Sequence, residues 1–172
     1  MISFMASSQT KILLKVGGNT MTATLADNEA TRELTELLKH GDMTISMSDY
    51  GGFEKVGPLP QSFPTSNTQI TTVPGDIMLY QGNQMVVFYG SNSWSYTRLG
   101  KIDGATASNV QQFLGSGDIA LTLSLDSSAG INDVAANYKE EIVHDLTGRS
   151  VTERPLAPGI YIINGKKRIV RQ

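Results

Sequence analysis

The sequence predicts a mainly β fold: a closed eight-stranded barrel with two helices, followed by a small β appendage at the C-terminus. Three observations lead there. Charged residues make up only 17 % of the chain against 40 % hydrophobic, and Ser, Thr and 17 glycines fill much of the difference, a balance that favours strands and turns. Apolar and polar residues alternate with period two in several short segments separated by Gly, Asn, Ser and Pro. Only two segments carry the 3.6-residue spacing of an amphipathic helix. Sheet segments in this number must close or stack to hide their edges, and a barrel whose ends are plugged by helices satisfies the order.

The elements follow one another simply. Lys11 to Val16 reads as a strand, Gly17-Gly18-Asn19 as a turn, and Thr20 to Leu25 as a half-buried strand with Met21, Ala23 and Leu25 on one face. Asp27 or Asn28 caps a helix running to about Lys39, with Ala30, Leu34, Leu37 and Leu38 in one stripe and Glu29 and Glu33 near its positive end. Gly41 ends it. Met43, Ile45 and Met47 alternate with polar residues in a further strand, which Asp49-Tyr50-Gly51-Gly52 breaks. Residues 53–75, with Pro58, Pro60, Pro64 and Pro74, read as one long loop, and such loops are often functional.

Two apolar runs then flank Gln81 to Asn83, and Ser91 to Ser95 reads as a polar turn holding Trp94, the one tryptophan. Tyr96 to Ile102 is a strand. A short helix from about Thr106 to Leu114 is expected to bury Ala107, Val110, Phe113 and Leu114, and Gly115-Ser116-Gly117 stops it. Ile119, Leu121, Leu123 and Leu125 alternate in the last strand of the body. The division expected is a barrel over 10–126, a linker over 127–133 and a tail over 134–172. The tail shifts in character: residues 131–172 carry seven Lys/Arg against five Asp/Glu, whereas residues 1–130 carry seven against eleven. It ends in an Asn164-Gly165 hairpin signal, since both residues tolerate positive φ.

Composition also narrows the function. Without cysteine there is no disulfide, zinc thiolate or cysteine nucleophile. A net charge of −2 produces no global field toward nucleic acid or an anionic membrane. No apolar run approaches the ~18 residues of a membrane span, and Met1 to Val16 is not a convincing signal peptide, so a frayed terminus is expected ahead of a truncated leader. His40 and His144 have no triad or metal spacing, and the aspartates are too scattered for a calcium site. No cofactor is expected.

LGKIDGATASNVQQFLG, followed by Asp118 to Leu125, resembles the end of a cyclophilin: a strand, a glycine turn, a helix and a last strand. The strings ATLADNEAT, SDYGGFEKVGPLPQSFP, PGDIMLYQGNQ and FYGSNSWSYTRLGKID resemble more closely a bacterial cyclophilin-like domain family of unknown function, over about residues 10–125. Gly130 to Val134, His144 to Arg149 and PGIYIINGKKRIV resemble a short form of the C-terminal sorting tail of secreted Bacteroidetes proteins. That likeness implies an extracytoplasmic location if the tail is a sorting signal; otherwise a cytoplasmic one is expected. A small β appendage with no export role explains the same spacing.

Cyclophilins lower the ~20 kcal/mol barrier of an amide rotation. They hold proline in an apolar groove and donate from an arginine to the twisted nitrogen. By resemblance, Gln84 matches the groove glutamine, Val86 an aromatic wall position and Trp94 the groove tryptophan. The upstream arginine is missing; Lys55 is the nearest cation, and an ammonium cannot reproduce a planar fork. Loss of one placed donor costs ~3 kcal/mol of barrier. The expectation is therefore a groove of Tyr50, Glu54, Tyr80, Gln81, Gln84, Val86, Trp94, Tyr96 and Arg98, with Phe53 beside it, that binds a peptide or small ligand with little or no prolyl isomerase activity. Two other readings stay open: an active isomerase, or aromatics that merely pack the barrel rim in a structural part of a larger assembly.

Overall fold

The computed structural model describes residues 9–127, 143–147, 159–163 and 166–170. The chain falls into two compact units, Met1–Ile131 and Asn132–Gln172. The first holds β1 (Lys11–Val16), β2 (Asn19–Leu25), α1 (Glu29–Lys39), β3 (Met43–Tyr50), β4 (Glu54–Pro58), β5 (Thr68–Thr71), β6 (Asp76–Tyr80), β7 (Gln84–Phe88), β8 (Ser93–Ile102), α2 (Ala107–Leu114) and β9 (Ile119–Leu125). The second holds β10 (Val143–Asp145), β11 (Gly159–Ile163) and β12 (Lys166–Val170).

The strands of the first unit run in the order β2-β1-β9-β3-β4-β7-β6-β8-β5, and β2 also pairs with β8. That pairing closes an eight-stranded antiparallel barrel, with β5 added to the first half of β8. Closure depends on Gly100, opposite Leu25: a Cβ there would stand 2.5 Å from the Thr24 carbonyl oxygen. Alternation sends Ile12, Leu14, Ala23, Leu25, Ile45, Met47, Ile77, Leu79, Met85, Val87, Leu121 and Leu123 into one buried core. Ala30, Leu34 and Leu38 of α1 and Val110, Phe113 and Leu114 of α2 join the same core.

Both helices start at capping boxes. The Asn28 side chain accepts from the Thr31 amide, and Thr106 accepts from Asn109. Asn28 also donates from Nδ2 to the Arg98 carbonyl at 2.7 Å, so the cap of α1 ties the helix to β8. In the second unit β10, β11 and β12 form an antiparallel sheet, with Ile163 opposite Lys166 as a two-residue connection requires. The Asn164-Gly165 signal, and all of the expected linker beyond Ser127, lie outside the described residues.

Four local expectations need correction. Residues 53–75 are not one loop: they contain β4 and β5. Asp49 and Tyr50 do not break β3, because they pair with Lys55 and Glu54, and the chain turns over Gly51-Gly52-Phe53. Trp94 lies not in a turn but in β8, opposite Ile70 of β5. Ala107 is exposed at the first turn of α2, and Ala105 packs on the core instead. The cause is shared for the strands. Neither EKVGP nor TQIT alternates cleanly, and each becomes a strand through partners distant in sequence.

Candidate functional site

On β6, β7 and β8 the residues that alternate with the core point outward. There Met78, Val86, Phe88 and Tyr96 form a second buried cluster, with Phe53, Val56, Ile70 and Tyr80 packed against it. Register explains the grouping: Val86 lies opposite both Val56 and Met78, and Gln84 opposite both Pro58 and Tyr80. The rings form a continuous row. Tyr50 meets Phe53 edge-on at 6.3 Å, Phe53 stacks on Phe88 at 6.5 Å, Phe88 meets Tyr96 at 5.5 Å, and Tyr96 meets Tyr80 at 6.1 Å. Phe53 is fixed by its carbonyl, which accepts from the Tyr89 and Gly90 amides, and by Gly90, where a Cβ would come within 2.7 Å of Phe53 Cβ.

The expected groove residues other than Arg98 fall into three groups. Glu54, Tyr80, Gln84, Val86 and Tyr96 share the outer face, and Tyr50 reaches it through Phe53 while remaining 63 % exposed. Val86 and Tyr96 are buried in the cluster rather than open to solvent. Gln81 sits on the β6–β7 turn with φ +51°, and its Nε2 donates to the Tyr80 hydroxyl at 3.2 Å. Trp94 is 56 % exposed and joins none of the ring contacts of the row; its register partner Ile70 does pack on the cluster. Sequence reasoning missed Met78, Phe88, Val56 and Ile70. Parity with Val86 and Tyr80 marks Phe88 and Met78, whereas Ile70 stands alone among Thr and Gln and carries no local signal.

The cations are placed by their partners. Lys55 turns inward, opposite Val87, and is fully buried. Its Nζ donates to Asp49 Oδ2 at 2.8 Å and to the Gly117 carbonyl at 2.5 Å, and lies 5.7 Å from the centre of the Tyr89 ring. It is therefore absent from the outer face where the sequence left it as the nearest cation. Arg98 is 40 % exposed at its side chain, and its Nη1 donates to the buried Asp76 at 2.9 Å. Asp76 in turn accepts from the Val73 amide at 3.0 Å.

Glu54 is the exception in this face. It lies opposite Phe88 on β7 and Tyr50 on β3, is only 8 % exposed, and its Oε2 is buried without a hydrogen-bond partner. Burial pushes its carboxyl up to about 7. Nearby, burial and the hydrogen bond to Asp49 push Tyr89 up to about 12, and burial raises Tyr96. The hydrogen bonds from Lys55 and then Tyr89 hold Asp49 below its ordinary value. Among the described residues no three His, Asp or Glu gather to hold a metal, and no helix is long and apolar enough to cross a membrane.

The first unit is thus a closed eight-stranded antiparallel barrel with two helices. The chain belongs to the cyclophilin-like family, whose model matches residues 14–124. A hypothetical protein from Archaeoglobus fulgidus, solved in solution, is similar in fold: TM-score 0.54 at 8 % identity, covering 72 % of this chain and 100 % of that one. No curated protein sequence matches.

Proposed function

We propose that the barrel is a binding module that takes a peptide or small ligand on the outer face of β4, β7, β6 and β8, with little or no prolyl isomerase activity. The observation that carries this reading is the pairing of an aromatic row with cations committed elsewhere: Lys55 is buried in the barrel and Arg98 is tied to Asp76. Gln84, half-buried, lies opposite Tyr80 on this face and carries both a donor and an acceptor. Exposed Tyr50, Trp94 and Gln81 extend the surface around it.

Two measurements test the reading. A peptide library is screened by the NMR signals of the Tyr50, Tyr80 and Tyr96 rings; saturable shifts support it, and silence across the library counts against it. A proline-containing test peptide is then followed for isomerisation. A rate above buffer that Gln84→Ala reduces would establish the isomerase reading in its place.

For the C-terminal unit we infer a sorting role in export, supported by the resemblance of its strings to Bacteroidetes sorting tails. Residues 132–172 fused to a reporter in a Bacteroidetes host should carry it out of the cell. Retention of the reporter would leave the unit as a structural appendage.

A further inference from the structure

We propose that Glu54 is the anchor of this face for an organic ammonium, a ligand with at least one N–H on its cationic nitrogen and an apolar or aromatic body. The inference rests on the binding reading above and names its ligand class. Its ground is an unbalanced account of hydrogen bonds. A carboxyl oxygen buried without a partner destabilises the fold, yet Glu54 Oε2 stands in that condition opposite Phe88, whose ring lies between Phe53 and Tyr96. An apolar residue or a glutamine at this position would remove the buried charge.

The surroundings select the partner. Among the described residues the charged groups beside it are already matched: Lys55 with Asp49 and Gly117, and Asp49 with Tyr89 as well. The titratable groups that feel Glu54 are Tyr89, just past the end of β7, and Tyr96 of β8, both raised by burial and therefore neutral through the physiological range; Tyr50 faces it from β3. None of these supplies a cation. An ammonium would give Oε2 its missing donor, cancel the buried charge, and meet the electron-rich faces of the adjacent rings. A neutral alcohol or amide would donate but leave the charge. Tyr50, opposite Glu54 at this end of the row, is exposed.

The probes are benzylammonium and its neutral counterpart benzyl alcohol, titrated into the full chain while the Glu54 carboxyl and the Tyr50 and Tyr96 rings are followed by NMR. At about pH 8 benzylammonium should bind at least ~10-fold tighter than the alcohol. Its affinity should fall by about tenfold per unit once the pH drops below about 7, as Glu54 takes up its proton. Glu54→Gln should remove both the preference and the pH dependence. Equal affinity for the two probes, or a benzylammonium affinity unchanged by pH, overturns the proposal without need of the variant. Binding of the alcohol alone overturns the ammonium assignment but leaves the binding reading intact; silence from both probes, together with a silent peptide library, removes both.

Discussion

Lys55 and Asp49 face each other across the β3–β4 hairpin and join in an ion pair at 2.8 Å whose cation is fully buried and whose anion is not. The asymmetry has a measurable consequence. Removing the anion strands a buried ammonium, which costs on the order of 3 kcal/mol. Removing the cation leaves a carboxylate that still reaches water and still accepts from Tyr89 at 2.6 Å. Urea unfolding should therefore show Asp49→Ala losing more stability than Lys55→Met, with the methionine variant within about 1–2 kcal/mol of the parent. The opposite order would contradict the burial assigned to Lys55. Because Asp49 lies below its ordinary value, its contribution is present above the unfolded carboxylate pKa and is lost as pH falls through the folded one.

Glu54 makes stability depend on pH in the reverse sense. Its folded pKa, about 7, lies above the ordinary glutamate value of 4.5, so between those values the folded chain holds more protons than the unfolded one. Linkage then makes unfolding easier as pH rises through that window. The contribution is complete below the unfolded value and gone above about 7, with a span of up to about 3 kcal/mol. Denaturation midpoints at about pH 5 and about pH 8 should diverge in the parent. Glu54→Gln should flatten the profile and gain most at the alkaline end. A parent profile with no fall across this window would refute the burial of the carboxyl.

Gly100 is the test of closure. The Thr24 carbonyl and the Leu25 Cα leave no room for a side chain, and both are backbone that cannot rotate away. Gly100→Val should separate β8 from β2 and cost more than ~3 kcal/mol, whereas the same change at Gly18, which has open space around it, should cost less than ~1 kcal/mol. Thermal midpoints of the two variants decide it. Similar losses would show that the β2–β8 seam does not carry the barrel.

Much of this architecture was legible before any coordinates. Lys11 to Val16 and Ile119 to Leu125 alternate so regularly that their inward faces, Ile12 and Leu14, then Leu121 and Leu123, follow from parity. The helix over Glu29–Lys39 announces itself through its stripe and the candidate caps Asp27 and Asn28, of which the structure uses Asn28. The aromatic face was partly legible as well, since Gln84 and Val86 share a parity that pairing with Tyr80 and Met78 preserves. EKVGP was not. Glu54 and Lys55 are adjacent charges in a segment that reads as loop, and nothing local says which of them enters the barrel.

Local pattern decides what an element is when its own side chains carry the free energy: apolar alternation makes a strand and i, i+4 spacing makes a helix wherever a core is available. The identity of β1, β2, α1, α2 and β9, the want of thiol chemistry and the modest net charge were settled in this way by the sequence alone. The tertiary structure decided the rest, because pairing is a property of two segments and not of one. Only when β4 enters between β3 and β7 does Lys55 turn inward to Asp49 while Glu54 turns outward beside Phe88, so the cation the sequence offered to the face is withdrawn and an unpaired acid stands there instead.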